Sequence, residues 1–376
     1  MSSSLTSSTE KARKVLVYLF GSLGDSLIAI PALRAVRRHF SNAEIVLLQN
    51  FHAGHIVVAS DVIPSRLVDR YLSYETNKGR IGRLAGFLTL WLKLRRERFD
   101  AAVYLVISER SERSVVRDRR FFSGCGIGDL IGFNSFSSKD LFPKDRDGRP
   151  APTVHEAVRR LERLNRDGLS SEPGDLEVPL LDHSQAELKM VDDWLNERRT
   201  RPSGILISLG PGYKTKANVW PLENFTRIGS HILSETNAEI VVVGGPQEQE
   251  MGEKLISAWG SGINAAGTFS VKESGALLSR CGLHIGLDTG TTHLAALAGT
   301  RCFAIYGERD NPGRWFPLGS GHTIVFHKTD CAGCQFRECP VPGHPCMNGI
   351  SVEAVWAELQ KFIREPPIEE TRVIAV

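Results

Sequence analysis

The chain has 376 residues, 41% hydrophobic and 24% charged, the balance of a globular protein with material for two domains. No apolar run approaches the roughly 18 residues of a membrane span, and the start MSSSLTSSTEKARK has no apolar centre for a signal peptide. The expectation is a cytoplasmic protein with a disordered tail over residues 1–13, in peripheral contact with a membrane at most. The net charge of +3 hides an asymmetry, because residues 1–150 carry 24 Lys or Arg against 15 Asp or Glu and the remainder 22 against 28. A basic first half implies an acidic partner, a phosphorylated substrate or an anionic membrane surface. Nucleic acid is set aside, since no binding motif accompanies the charge.

From Lys14 the run KVLVYLF reads as a buried parallel strand, and it leads into LFGSLGDSLIAIPALRAV, residues 19–36. Gly21 and Gly24 suit a tight strand-to-helix turn that lies close to a ligand. The spacing is neither the three-glycine dinucleotide fingerprint nor a Walker loop. Asp25 stands where the N-cap of a helix over Ser26–Arg38 belongs, and its other reading is a catalytic base. Pro31 bends that helix or marks its first turn. AEIVLLQN and DAAVYLVIS continue the strands, with helical stretches at Ala32–His39 and Ile81–Arg98 between them. The stretch 134–183, rich in Pro, Gly, Asp and Ser around a helix at His155–Asn165, sets the domain linker near 175–185.

The rhythm then restarts. GILISLGPG precedes a helix at Leu222–Ser234, AEIVVVGGP one at Gln249–Trp259, and LHIGLDTG one at Thr292–Ala298, with RCFAIYGE after them. Such repetition specifies α/β architecture, two doubly wound parallel sheets with ligands at the carboxyl ends of their strands and a cleft between the domains. In DTGTTH the helix N-terminus suits an anion, Thr289, Thr291 and Thr292 add hydroxyls, and His293 lies on the first turn. Asp288 at the strand end orients a neighbour or bonds a sugar hydroxyl.

The segments SLGDSLIAIPALRAVRRHF, DTGTTHLAALAGT and AIYGERDNPGRW together resemble glycosyltransferase family 9, the ADP-heptose:lipopolysaccharide heptosyltransferases. The likeness runs from Lys14 to about Leu359. It implies the GT-B fold of two facing Rossmann-like domains, here 14–180 for the acceptor and 186–350 for the nucleotide sugar. The C-terminal helix and tail, 351–376, are expected to pack back across the domain junction. It also implies an inverting transfer from ADP-heptose to a glycan or glycolipid acceptor such as lipopolysaccharide core, with Asp25 as general base. Gly24 belongs to the same turn. Asp288, Thr289, Gly290 and His293 contact the departing diphosphate by the same resemblance.

Where many relatives have a phosphate-binding lysine, this chain has Asn218 in KTKANVWP, so Lys214 and Lys216 are the expected substitutes and Arg314 the next candidate. Glu248 or Glu250 is assigned to the ribose and Phe269 to the base, the plainer readings being helix capping and core. The alternatives kept are a relative acting on a protein, capsule or secondary metabolite, and a non-catalytic nucleotide-sugar-binding protein. No cofactor is needed for the chemistry. Cys331, Cys334, Cys339 and Cys346 have a spacing that suits a structural zinc or iron, with reduced free thiols as the rival reading.

Overall fold

The structure, a computed structural model, describes residues 12–51, 58–75, 80–134, 136, 141–366 and 369–376, so most of the expected N-terminal tail lies outside the described residues. The chain divides into two compact units, Met1–Leu141 with Val154–Glu177, and Phe142–Thr153 with Val178–Val376.

The first unit runs β1 (Lys14–Leu19), α1 (Leu23–Leu27), α2 (Ile30–His39), β2 (Glu44–Phe51), β3 (Arg70–Glu75), α3 (Arg80–Glu97), β4 (Ala101–Tyr104), α4 (Glu112–Gly124), β5 (Asp129–Ile131) and α5 (Glu156–Arg166). Its five strands are all parallel, in the order β3-β2-β1-β4-β5. β1 is central, and Val15 to Leu19 are buried, which is why this stretch is an unbroken apolar run. Tyr18 lies between Leu48 and Tyr104 in register, and its ring stacks on Tyr104 at 5.5 Å. The edge strands β3 and β5 are short and partly exposed, and no apolar run announces them. Pro31 sits in the first turn of α2, where its missing N–H costs nothing.

The second unit contains α6 (Gln185–Arg198), β6 (Leu206–Gly210), α7 (Leu222–Glu235), β7 (Glu239–Val242), α8 (Gln249–Trp259), β8 (Ile263–Asn264), α9 (Val271–Ser279), β9 (Leu283–Leu287), α10 (Gly290–Leu297), β10 (Cys302–Ile305), β11 (Thr323–Phe326), α11 (Pro345–Asn348), α12 (Val352–Arg364) and β12 (Arg372–Ala375). Seven parallel strands are ordered β12-β11-β10-β9-β6-β7-β8. In each sheet the strand order reverses beside the unit's first strand, between β1 and β4 and between β6 and β9. Ligands bind outside the carboxyl ends of strands at such reversals.

Two features of this unit differ from the sequence expectation. Residues 142–153, assigned there to the first domain, pack on the second unit. Asn311 Nδ2 donates to the carbonyls of Pro143 and Ala151 at 2.7 and 2.8 Å, Thr153 N to that of Pro312 at 2.9 Å, and the Arg314 guanidinium covers Phe142. Gly313, at φ +89°, lets the arm approach, because a Cβ there would stand 2.7 Å from the Thr153 carbonyl oxygen. The C-terminal segment is likewise built into this unit. Val355, Trp356, Leu359 and Phe362 of α12 belong to its core, with Phe362 against Phe303, and β12 pairs in parallel with β11. The 3.6-residue spacing of those apolar side chains selects the nearest apolar sheet face, which is their own.

Candidate active site

At the carboxyl end of β1 the chain turns through Gly21 into α1. Ser22 is the N-cap and Asp25 occupies N3, so the expected capping role of Asp25 is corrected by three residues. Asp25 Oδ2 accepts from Ser22 N at 2.7 Å and from Ser22 Oγ at 2.9 Å. Among the described residues no hydrogen bond falls on Oδ1, and Asp25 is only half-buried. Gly21, at φ +148°, has no room for a side chain, since a Cβ would lie 2.4 Å from that of Asp25. Its N–H donates to Asn50 Oδ1 at the end of β2. The turn is thus anchored to a neighbouring strand, and one carboxylate oxygen is left for a ligand.

Behind it lies a group of buried charges that sequence reasoning missed. Glu156, Arg160 and Arg163, at i, i+4 and i+7, form one face of α5, and all three are buried. Arg160 Nη1 donates to the Asp25 carbonyl oxygen at 2.8 Å. Glu156 Oε1 accepts from Ser108 N and Oγ at 2.7 and 2.8 Å, and Arg163 donates to Ser108 Oγ and the Val106 carbonyl, both at 2.6 Å. Burial lowers the pKa of both arginines, Arg163 to about 10, while the Glu156 charge opposes the fall. Among the described residues Arg160 Nε and Nη2 have no hydrogen-bond partner. An amphipathic sequence with charges on one side suggests that this side faces water. Here three of its charges are buried inside the unit, bonded to Ser108 and to the carbonyls of Val106 and Asp25.

In the second unit β9 ends at Leu287, Asp288 follows, and Thr289 caps α10, which begins at Gly290. Desolvation pushes the Asp288 carboxyl up to about 6, and Asp310 adds to that. Arg309, the Asn218 hydrogen bond and Lys214 act in the opposite direction, with Arg309 first among them. Asn218, buried, donates from Nδ2 to Asp288 Oδ2 at 3.0 Å, and its own Oδ1 has no partner among the described residues. His293 is buried on the first turn of α10, its backbone N–H directed to the Thr289 carbonyl at 3.3 Å. Thr292 is not an available hydroxyl. It is fully buried and donates to the Leu287 carbonyl at 2.7 Å. It also lies 3.3 Å from His284 Nε2, whose Nδ1 is 3.0 Å from Ser208 Oγ. Burial brings His284 down to about 3, so this support for the turn is neutral.

The remaining candidates separate. Lys214 is exposed and within electrostatic reach of Asp288, whereas Lys216 is exposed and paired with Glu338 at 3.0 Å. Arg314 is fully buried against Phe142 and Trp315 and serves the 142–153 arm. Glu248 Oε2 accepts from Gly245 N at 2.8 Å, and its side chain fills the space a Cβ would need at Gly212 and Gly244. It therefore sits where the turns after β6 and β7 meet. Glu250 points elsewhere, to Lys254 on the exposed face of α8. Phe269 packs edge-on against Trp194 of α6, ring centres 5.0 Å apart.

Arg309, which the sequence did not single out, is held by the Cys-rich segment. Its Nε donates to the Phe336 carbonyl at 2.9 Å and Nη2 to that of Gln335 at 3.2 Å. The same segment meets the Asn218 turn, with Ala217 N donating to the Arg337 carbonyl and His344 Nε2 lying 3.0 Å from that of Ala217. The four cysteines are free thiols, and the Cys346 thiol is pushed up to about 11 by burial, with the other three adding to the rise. Among the described residues no three His, Cys, Asp or Glu are gathered to hold an ion. Hydrogen bonds from the Arg309 guanidinium, the His344 ring and the backbone position this segment.

Two Rossmann-like units, each a parallel sheet with its strand order reversed beside the first strand, are the elements of the GT-B fold. Residues 88–344 match the model of glycosyltransferase family 9 (heptosyltransferase), and the chain belongs to that family. It is similar to the lipopolysaccharide core heptosyltransferase OpsX of Haemophilus influenzae, 22% identical over 94% of this chain and 98% of that one. The crystal structure of a family 9 glycosyl transferase from Veillonella parvula superposes with a TM-score of 0.72 at 19% identity, covering 94% and 98% of the two chains. The ADP-heptose lipopolysaccharide heptosyltransferase II of E. coli does so at 0.64, with 18% identity over 93% and 98%. Among the described residues no helix is long and apolar enough to cross a membrane.

Proposed function

We propose that this glycosyltransferase moves a heptose from an ADP-sugar to a lipopolysaccharide-core acceptor with inversion, and that Asp25 is its general base. The observation that carries this reading is the Asp25 turn, a half-buried carboxylate fixed through one oxygen with the other unbonded, in a family 9 chain. The acceptor hydroxyl attacks the sugar C1 and forms the new C–O bond while the bond from C1 to the diphosphate oxygen breaks. The hydroxyl proton passes to Asp25 Oδ1, and the electron pair leaves with ADP.

Charge then develops on the departing diphosphate. The N-terminal amides of α10, Lys214 and Arg309 are the groups proposed to receive it, with His293 on the first turn. Arg309 takes the place in this reading that Lys216 held. Asn218 supplies a neutral amide beside Asp288, and its unpartnered Oδ1 suits a hydroxyl of the donor. Glu248 is proposed for the ribose and Phe269 for the edge of the base. The chemistry uses protein groups alone, and the enzyme works in the cytoplasm, where its nucleotide sugar is supplied. The names of the Haemophilus and E. coli relatives support heptose as the sugar, ADP-heptose as the donor and lipopolysaccharide core as the acceptor.

The test is incubation of the purified chain with ADP-heptose and heptose-free lipopolysaccharide. ADP release, an acceptor heavier by one heptose and an inverted anomeric centre by NMR are expected. A donor at about 100 times its Kd should also add about 2.7 kcal/mol of stability. No transfer and no stabilisation by ADP-heptose would reject the donor assignment.

A further inference from the structure

Outside both turns, α3 and α4 of the first unit expose an apolar face that neither the family nor the proposed reaction explains. The inward side of α3 carries Leu90 and Leu94, which are buried. Nearer the helix start Phe87, on the row of Leu94, is 48% exposed, and Leu88 and Leu92 on the adjoining side are exposed by 58 and 40%. The Phe87 ring meets Phe121 of α4 edge-on at 5.8 Å, and Trp91 donates to the Gly124 carbonyl at 3.0 Å, so the two helices share one face. On α4, Arg113 and Arg117 precede Phe121 at four-residue intervals on the same row, and Val116 beside them is 47% exposed. Residues 85–124 hold nine Arg or Lys against five Asp or Glu. Of these carboxylates Asp118 pairs with Arg110 and Arg117, Glu97 pairs with Lys14 and Arg70, and Asp100 accepts from the backbone of Arg13 and Lys14.

We propose that this α3–α4 face docks on an anionic lipid surface, the apolar tips entering the headgroup boundary and the arginines meeting lipid phosphates. Exposed Phe and Leu set among cations is the composition of helices that lie in a membrane interface. A second copy of the chain is a poorer occupant. A two-fold contact would bring the same arginines together, and like charges facing across an interface repel. The surface would keep a soluble enzyme beside a lipid-borne acceptor, and in that respect it extends the proposed function. Its test reads vesicle binding rather than sugar transfer, so the two readings fail separately.

The full chain is sedimented with phosphatidylcholine vesicles, with or without phosphatidylglycerol. Two variants are compared, Phe87→Ser/Leu88→Ser/Leu92→Ser and Arg113→Glu/Arg120→Glu, the exposed Arg120 lying seven residues from Arg113 on the same side of α4, each checked by thermal melting. Binding to the anionic vesicles alone, weakened by salt and reduced on the order of tenfold in each variant at unchanged melting, is the expected result. If the apolar variant unfolds, the charge-reversal variant decides, because its exposed side chains carry no core packing. Wild-type protein that ignores anionic vesicles overturns the proposal, as do variants that bind like wild type. So does a wild-type dimer that the apolar variant dissociates while vesicles go unbound.

Discussion

The two units solve the same local problem, a carboxylate at the end of a parallel strand, by opposite physical means. In the first, Asp25 lies one turn inside a helix, bonded by its own cap, with the buried charges of α5 behind the backbone. In the second, Asp288 stands before the helix, desolvated and pushed up to about 6, and the support behind it is the neutral Ser208–His284–Thr292 chain. The first arrangement leaves an oxygen open for a proton. The second makes a negative charge costly beside a place where phosphates are proposed to sit. Strand-end position alone therefore does not set what an aspartate does; its solvation and the charges behind it do.

The sharpest way to break this contrast is Asp25→Asn. We expect turnover to fall by roughly 10²–10⁴ with donor affinity and melting temperature unchanged, read from kcat and from titration with ADP-heptose. Near-normal turnover would remove Asp25 from the chemistry.

Arg160→Met tests whether the first turn depends on charges behind it. The substitution leaves Glu156 buried with one fewer cation and the Asp25 carbonyl without its donor, and a loss of about 3–5 kcal/mol is expected. Arg160→Lys should recover much of that stability. If Arg160 also positions Asp25, the lysine variant will show a lowered kcat at unchanged donor KM. The neutral counterpart, Thr292→Val, removes a hydroxyl hydrogen bond and should cost only about 1–2 kcal/mol.

Asp288 gives the contrast a pH signature. Its folded pKa lies above the unfolded value of 3.8, so the folded state holds the proton more tightly. The stabilisation is complete below pH 3.8 and is lost as pH rises through about 6, to an extent of about 3 kcal/mol. Asp288→Asn should flatten that part of the stability–pH curve, measured by denaturant melts across the interval. An unchanged curve would show that the carboxylate is solvated after all.

The smallest effects separate the cations. Arg309→Ala should raise the donor Kd about tenfold, the worth of one charge-assisted hydrogen bond. Lys216→Ala, which breaks only an exposed pair with Glu338, should change it by less than about twofold. Equal effects from the two would return Lys216 to the site.

The sequence by itself determined the α/β class, the strands β1, β2, β4, β6, β7, β9 and β10, and the turns that bear Asp25 and Asp288. Apolar runs broken by Gly and Asp are local signals, and the helices after them follow from spacing. The edge strands β3, β5, β8 and β12 escaped because two to six residues with partly exposed sides carry no run to read. Tertiary structure alone decided the rest. The buried face of α5 is charged, and whether such a face meets water or counter-charges depends on Ser108 and the Asp25 carbonyl, both distant in sequence. The arm 142–153 joins the second unit through Asn311, a partner about 160 residues away. Which cation accompanies Asp288 was equally hidden. Lys214, Lys216 and Arg309 carry the same formal charge, and only the carbonyls of residues 335 and 336 and the carboxylate of Glu338 settle which way two of them turn. Local pattern specifies where a chain makes a turn, but desolvation and charge pairing are sums over neighbours that the fold brings together.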